Sequence, residues 1–284
     1  MKVVAGSASQ RTAKELAGVL GADLAPVERR VFPDGEVYVR IQGSLRDEEV
    51  VVVQSTLPSH ALLELLFLQE AAHDQGAASV TAVVPYYSYS RQDRVFQEGE
   101  VVTAKAVAEL IEMKADRFIT VDPHKEHILG FFGIEAHGVS AVPLLARAME
   151  GLGVDTVLAP DKGALDRAEF AAKCLGASFD HLEKTRLSGT EVVMKAKQLD
   201  VRGKTVAIVD DIISTGGTIA TAATELKKQG ARRVIAACTH GLFLNNALDR
   251  LRAAGCDAVL ATDSLENPAS AVGCAEVVAD VLRE

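Results

Sequence analysis

Two adjacent aspartates, Asp210-Asp211, follow the apolar run Val206-Ala207-Ile208-Val209 and precede Ile212-Ile213 and the loop Ser214-Thr215-Gly216-Gly217-Thr218. The run reads as a buried parallel strand, and the C-terminal end of such a strand is where open α/β sheets place ligands. Gly216 and Gly217 let main-chain N–H groups turn inward with no Cβ in the way. The hydroxyls of Ser214, Thr215 and Thr218 add donors, and a helix starting at about Thr218 adds its positive end. Together these make a cradle for a phosphate group. The two carboxylates cannot bind phosphate themselves; they suit ribose hydroxyls, or Mg²⁺ through water. The pattern is not GxxxxGK[ST], so this is not a Walker A loop.

Other segments carry residue types able to do chemistry. Phe32-Pro33-Asp34-Gly35-Glu36 is a turn signature with an aromatic on one side and two carboxylates within it. Arg91-Gln92 joins a forked cation to an amide. His124 follows the run Phe118–Val121 with His127 three residues on, so either could cap a strand end, pack, or ligate a metal. Asp161 follows Thr156–Ala159 in the same way. Lys184 and Arg186 open a polar stretch, 183–191, which is either a solvated loop or a lid bringing two cations over charged groups.

These residues must be positioned by alternating strands and helices. Val50–Gln54, Val80–Val84, Phe118–Val121, Thr156–Ala159, Thr205–Val209, Val234–Ala237 and Ala258–Ala261 read as buried strands. Between many of them lie helix-period segments: Ala61–Gln75, Thr103–Met113, Leu165–Cys174 and Thr218–Gln229. The alternation predicts an α/β protein with mostly parallel sheets flanked by helices. Gly76, Gly230 and Gly255 each follow a helical pattern, as capping glycines do. The chain also repeats: Leu20–Leu24 resembles Leu175–Phe179, and Gly76–Val80 resembles Gly230–Val234, at offsets of 155 and 154. The opening strand before Ser7 aligns with Val157–Ala159 at the same offset. We therefore expect two tandem copies of one α/β domain, at 1–142 and 143–284. The second copy has the acid pair and the glycine loop; the first has Gln54-Ser55 and Thr56-Leu57-Pro58-Ser59 instead.

Composition narrows the partners. Of 284 residues, 48% are hydrophobic and 24% charged, as in ordinary globular chains. Net charge is −9, with 13 basic and 20 acidic side chains before residue 141 and 17 and 19 after it. That balance argues against broad binding to nucleic acid or to an anionic membrane, so any anion site is local. No apolar run reaches the ~18–20 residues a membrane span needs. The cysteines, at 174, 238, 256 and 274, show no CxxC spacing and fit reduced thiols in a cytoplasmic protein.

The segment 206–224 resembles the 5-phosphoribosyl-1-pyrophosphate (PRPP) binding motif of type I phosphoribosyltransferases and ribose-phosphate pyrophosphokinases. Several segments are similar to the second of these families, in its short archaeal-like form: Phe32–Glu36, Tyr89–Arg94, Thr120–His124 with Gly130–Phe132, Ala159–Gly163 and Glu183–Arg186. The resemblance covers nearly the whole chain in order. It departs at Ser214, where the family usually has Asp, and at Ala164, where it usually has Gly.

The resemblance implies a fold of two tandem phosphoribosyltransferase-like domains and a cytoplasmic enzyme of nucleotide biosynthesis. That enzyme transfers the pyrophosphoryl group of ATP to the C1 hydroxyl of ribose 5-phosphate. It implies ATP contacts from Phe32, Asp34, Gly35, Glu36, Arg91 and Gln92. It assigns ribose 5-phosphate to Arg186, Asp210, Asp211, Ser214, Thr215, Gly216, Gly217 and Thr218, and catalysis to Lys184 and Arg186. Mg²⁺ falls to His124 and Asp161, with His127 a weaker candidate. In that family the 32–36 hairpin reaches the active site of a neighbouring subunit, which implies a homodimer or higher homo-oligomer. Two other readings stay open: a PRPP-consuming phosphoribosyltransferase, which has no use for the 32–36 and 91–92 segments, and a non-catalytic regulatory paralogue, which loses the catalytic cations.

Overall fold

A computed structural model describes residues 1–186, 192–195 and 200–284, with 183–186 and 192–195 described as backbone alone. The first unit comprises 1–140, 263–266 and 273–284. Its elements are β1 (Lys2–Ala5), α1 (Gln10–Leu20), β2 (Asp23–Ala25), β3 (Val27–Val31), β4 (Val37–Ile41), β5 (Glu49–Val53), α2 (Ser59–Asp74), β6 (Ser79–Val84), α3 (Thr103–Glu112), β7 (Arg117–Val121) and β8 (Glu135–Val139). Six strands form a parallel sheet in the order β2-β1-β5-β6-β7-β8, and β3-β4 stands apart as an antiparallel hairpin. Val50–Val53 are all buried, which is what a central strand covered on both faces requires. Helix α3 shows the matching helical period: Ala104, Val107, Ala108 and Ile111 line its buried face.

The second unit comprises 141–262 and 267–272. It contains α4 (Val142–Met149), β9 (Thr156–Ala159), α5 (Leu165–Leu175), β10 (Ser178–His181), β11 (Glu183–Arg186), β12 (Val192–Lys195), β13 (Thr205–Ile213), α6 (Gly217–Lys228), β14 (Arg233–Gly241), α7 (Ala247–Ala253), β15 (Ala258–Thr262) and β16 (Ser270–Val272). Its parallel sheet runs β10-β9-β13-β14-β15-β16, the order of the first sheet, and β11-β12 is again a separate hairpin. The duplication read from the sequence is therefore a duplication of topology. Side chains alternate across β13: Val206 and Ile208 pack with Ile219, Ala223 and Leu226 of α6, while Ala207 and Val209 pack with Ala168, Ala171 and Ala172 of α5.

The two-domain division needs one correction. Residues 263–266 and the final helix, α8 (Ala275–Leu282), belong to the first unit and not to a domain running to 284. Helix α8 buries Ala275, Val278 and Ala279 and packs on α1, with Arg283 donating to the Val19 carbonyl at 2.8 Å. By position α8 follows β16 as α4 follows β8. Each unit thus takes in the helix that follows the last strand of the other sheet. A sequence repeat marks the covalent order; it is the apolar face of a helix that decides which core receives it.

Candidate active site

The acid pair lies within β13, because that strand continues four residues beyond Val209. Asp210 is in register with Cys238 on β14. Its Oδ1 accepts the Asp211 N–H at 2.9 Å, which tightens the pair. Burial, reinforced by the neighbouring Asp211 charge, pushes the Asp210 carboxyl up to about 8; Arg167 on α5 opposes the shift. Arg167 Nη1 is 4.0 Å from Asp210 Oδ1 and 3.7 Å from Asp211 Oδ1. The sequence reading missed Arg167, since nothing in its immediate neighbours marks it.

Beyond β13 the chain turns through Ser214 and Thr215 to Gly216, whose φ of +70° is left-handed. A Cβ there would sit 3.3 Å from Leu251 Cγ and 3.5 Å from Ala247 Cβ, so both conformation and packing require glycine. Helix α6 begins at Gly217 with no side chain capping it. Its first-turn N–H groups keep the unpaired donors that an anion can take. The loop carbonyls are occupied on the other side. Leu242 and Phe243 donate N–H groups to the Ile213 carbonyl at 3.0 and 3.2 Å, Leu244 donates to Ser214 at 3.0 Å, and Arg250 Nη1 donates to Thr215 at 2.5 Å. With the carbonyls tied back, the amide face of the 214–218 loop is the one left to a ligand.

Asp161 lies at the end of β9, the neighbour of β13, where its Oδ1 accepts from Gly163 N–H at 2.9 Å. Lys184 and Arg186 fall on β11, in register with Met194 and Val192 of β12; their side chains, and all of Ser188-Gly189-Thr190, lie outside the described residues.

In the first unit, Phe32 to Glu36 form the exposed tip of the β3-β4 hairpin. Phe32 N–H donates to the Glu36 carbonyl and Gly35 N–H to that of Phe32, both at 2.8 Å, and Glu36 N–H donates to Asp34 Oδ1 at 3.1 Å. Phe32 is 45% exposed and meets Tyr38 edge-on at 6.3 Å, so one ring face is open to stack. Arg91 is exposed, and Gln92, half-buried beside it, donates from Nε2 to Glu100 Oε2 at 3.0 Å. The N–H groups of Phe96 and Gln97 also reach Glu100 and hold its carboxyl below the usual range. Glu100 is a second residue the sequence reading passed over. His124 is half-buried just beyond β7. The 91–94 and 124–127 segments meet where His127 Nε2 lies 3.2 Å from Asp93 Oδ2, which gives His127 a carboxylate partner. Among the described residues no three His, Cys, Asp or Glu side chains converge as a metal cage, and no helix is long and apolar enough to cross a membrane.

Two like-ordered parallel sheets, the second ending in an acid pair and an amide-lined loop, define a tandem phosphoribosyltransferase-type protein. Residues 1–114 match the N-terminal domain of ribose phosphate pyrophosphokinase, and 143–276 match the phosphoribosyl transferase domain. The ribose-phosphate pyrophosphokinase of Methanopyrus kandleri is 45% identical over 288 residues, covering 99% of this chain and 98% of that relative. That of Methanothermobacter thermautotrophicus is 42% identical over 285 residues, covering 99% and 100%. The crystal structure of phosphoribosylpyrophosphate synthetase from Mycobacterium smegmatis superposes with a TM-score of 0.86 at 32% identity, covering 99% of this chain and 97% of that one. The chain belongs to the ribose-phosphate pyrophosphokinase family.

Proposed function

We propose that the chain transfers the pyrophosphoryl group of ATP to the C1 hydroxyl of ribose 5-phosphate, releasing PRPP and AMP. The observation that carries this reading is the acid pair beside a glycine loop whose carbonyls are tied back, in a chain similar to its relatives over its whole length. The amides of 214–218 hold the 5-phosphate, with Ser214 contributing a hydroxyl donor where an acid is usual. Asp210 and Asp211 accept from the ribose hydroxyls and so present C1. The C1 oxygen bonds to the β-phosphorus of ATP as the bond from that phosphorus to the oxygen bridging the α-phosphate breaks; the hydroxyl proton is released, and AMP departs with the bridging oxygen. Positioning and charge stabilisation supply most of the rate in such transfers.

Phe32 stacks on the adenine, Asp34 and Glu36 accept from its amine or ribose, and the Gly35 turn holds them. Arg91 neutralises ATP phosphate. Gln92, its Nε2 held by Glu100, hydrogen-bonds the nucleotide. Lys184 and Arg186 stabilise the charge that moves onto AMP, Arg186 also gripping ribose 5-phosphate. His124, just beyond β7, and Asp161, beyond β9, are each donors of the kind Mg²⁺ accepts, His124 for an ion shared with phosphate oxygens and Asp161, with one oxygen engaged by Gly163, for a second ion or its waters. Mg²⁺ held by His124 would supply charge neutralisation to the triphosphate. The exposed hairpin tip is consistent with an active site completed at a subunit interface, in a homodimer or larger homo-oligomer, and the enzyme belongs in the cytoplasm.

Phosphorus NMR of the protein with Mg²⁺, ATP and ribose 5-phosphate tests the reading. AMP and a diphosphorylated sugar in equal amounts are expected. ADP would indicate an ordinary kinase, and pyrophosphate release that depends on an added base would indicate a phosphoribosyltransferase.

A further inference from the structure

The acid pair has a counter-charge that the loop motif does not announce. Arg167 is the third residue of α5, on the helix that covers the Val209 face of β13. Its side chain is 17% exposed, against 22% for Asp210 and 9% for Asp211. One guanidinium nitrogen serves both carboxylates, at 4.0 and 3.7 Å. These separations exceed a hydrogen bond, so the cation balances the charges without occupying the oxygens. Arg167 lies beside both acids and favours their charged form, so without it the pair loses the cation that orients it. With it the two acids stay together at the end of β13, just before the 214–218 loop in sequence.

The first copy provides a comparison within the same chain. Sheet register aligns Lys2↔Val50 with Thr156↔Val206, so Gln54 and Ser55 stand where Asp210 and Asp211 stand. The left-handed cap glycines Gly21 and Gly176 align α1 with α5, which puts buried Thr12 in the place of Arg167. Both acids and the arginine are absent together. In their place Thr12 Oγ1 donates to the Asp263 carbonyl at 3.1 Å and Ser55 Oγ to that of Ser264 at 2.7 Å. Where the acids are gone, the arginine is gone, and returning main chain fills the position.

We propose that Arg167 is a positioning residue for ribose 5-phosphate, orienting the Asp210–Asp211 pair toward the sugar hydroxyls. The inference rests on the assignment of that pair to the sugar. It acts through the carboxylates it faces, so its loss should be felt chiefly by the substrate they hold.

The test is steady-state kinetics with each substrate varied in turn, on wild type, R167Q and R167K. Wild type must first form AMP and PRPP; if it does not, the functional reading itself fails, a result separate from anything the variants show. For R167Q the expected result is a KM for ribose 5-phosphate raised about tenfold or more, with the KM for ATP changed less than about twofold. R167K keeps the charge on a different head group, and its ribose 5-phosphate KM falls between those of wild type and R167Q. A rise shared by both substrates, or no rise in R167Q, overturns the proposal. Should R167Q fail to fold, R167K decides: a rise confined to ribose 5-phosphate sustains the assignment, and its absence overturns it.

Discussion

Ser55 donates its hydroxyl to the carbonyl of Ser264, 209 residues further along the chain, at 2.7 Å. The same oxygen accepts the Tyr86 N–H at 3.0 Å, and Ser9 Oγ accepts the Ser55 N–H at 2.9 Å. One small buried residue thus ties the start of α1, the segments beyond β5 and β6, and the returning 263–266 segment together. It does so at the position that in the second copy belongs to Asp211.

Ser55→Ala removes that hydroxyl from a fully buried network. The expected cost is about 1–3 kcal/mol in urea denaturation. The kinetic constants for both substrates stay near wild type. A variant as stable as wild type would mean the first copy's filled position does not anchor the C-terminal return.

Glu64 is buried on α2, where it accepts from Arg29 Nε at 2.6 Å, Ser7 N–H at 2.9 Å and Gln54 Nε2 at 3.0 Å, with the Ser7 hydroxyl also on it. Arg29 in turn donates to the Ala5 carbonyl. Glu64→Ala strands a partly buried guanidinium, and a loss of about 3–5 kcal/mol is expected. Glu64→Gln, which keeps an acceptor for Ser7 and Arg29, should lose less. Thermal melts of the two variants side by side check the order.

Asp210 gives a pH signature. Its carboxyl is raised on folding, chiefly by burial and then by Asp211, so the native state holds a proton that the unfolded chain has released. The stability this contributes is complete below the unfolded value of 3.8 and is lost as pH climbs through about 8. Asp210→Asn carries no such dependence. Relative to wild type the variant should therefore gain stability between pH 5 and pH 8, while losing turnover with ribose 5-phosphate. Denaturation midpoints that track wild type across that range would contradict the assignment of the proton to this pair.

Gly216→Ala meets both a left-handed φ of +70° and Leu251 Cγ at 3.3 Å. The backbone part alone costs about 1 kcal/mol. The loop that shifts to relieve it is the proposed phosphate cradle, so the KM for ribose 5-phosphate rises more than that for ATP. Equal changes in the two would separate the loop from the sugar phosphate.

Lys184→Ala tests the role given to the β11-β12 hairpin. A cation that acts where charge moves in the transition state should lower kcat by about 10²-fold or more and leave ATP binding nearly unchanged. Losses of equal size in both would mean that the lysine grips only the ground state.

Much of the fold was legible in the chain because it is written in short-range patterns. Four-residue apolar runs marked the central strands, and the terminal glycines marked helix ends: Gly76, Gly230 and Gly255 all have positive φ. The near-constant offset of 154–155 gave the duplication, and the sheets share one strand order. The ends of β13 and β14 were less legible. Asp210-Asp211 and Thr239-His240 look like the start of loops, yet pairing with the neighbouring strand carries both strands on to residues 213 and 241.

By itself the sequence determined the tandem α/β architecture, the acid pair and the glycine loop, because each rests on residues close together in the chain. The tertiary structure alone decided that Arg167, over forty residues from the aspartates, balances their charge. It alone decided that Glu100 takes up Gln92 and that 263–266 and α8 complete the first unit. A helix's choice of core and a buried charge's choice of partner are settled by packing and by the cost of leaving a group unpaired, and neither leaves a local pattern to read.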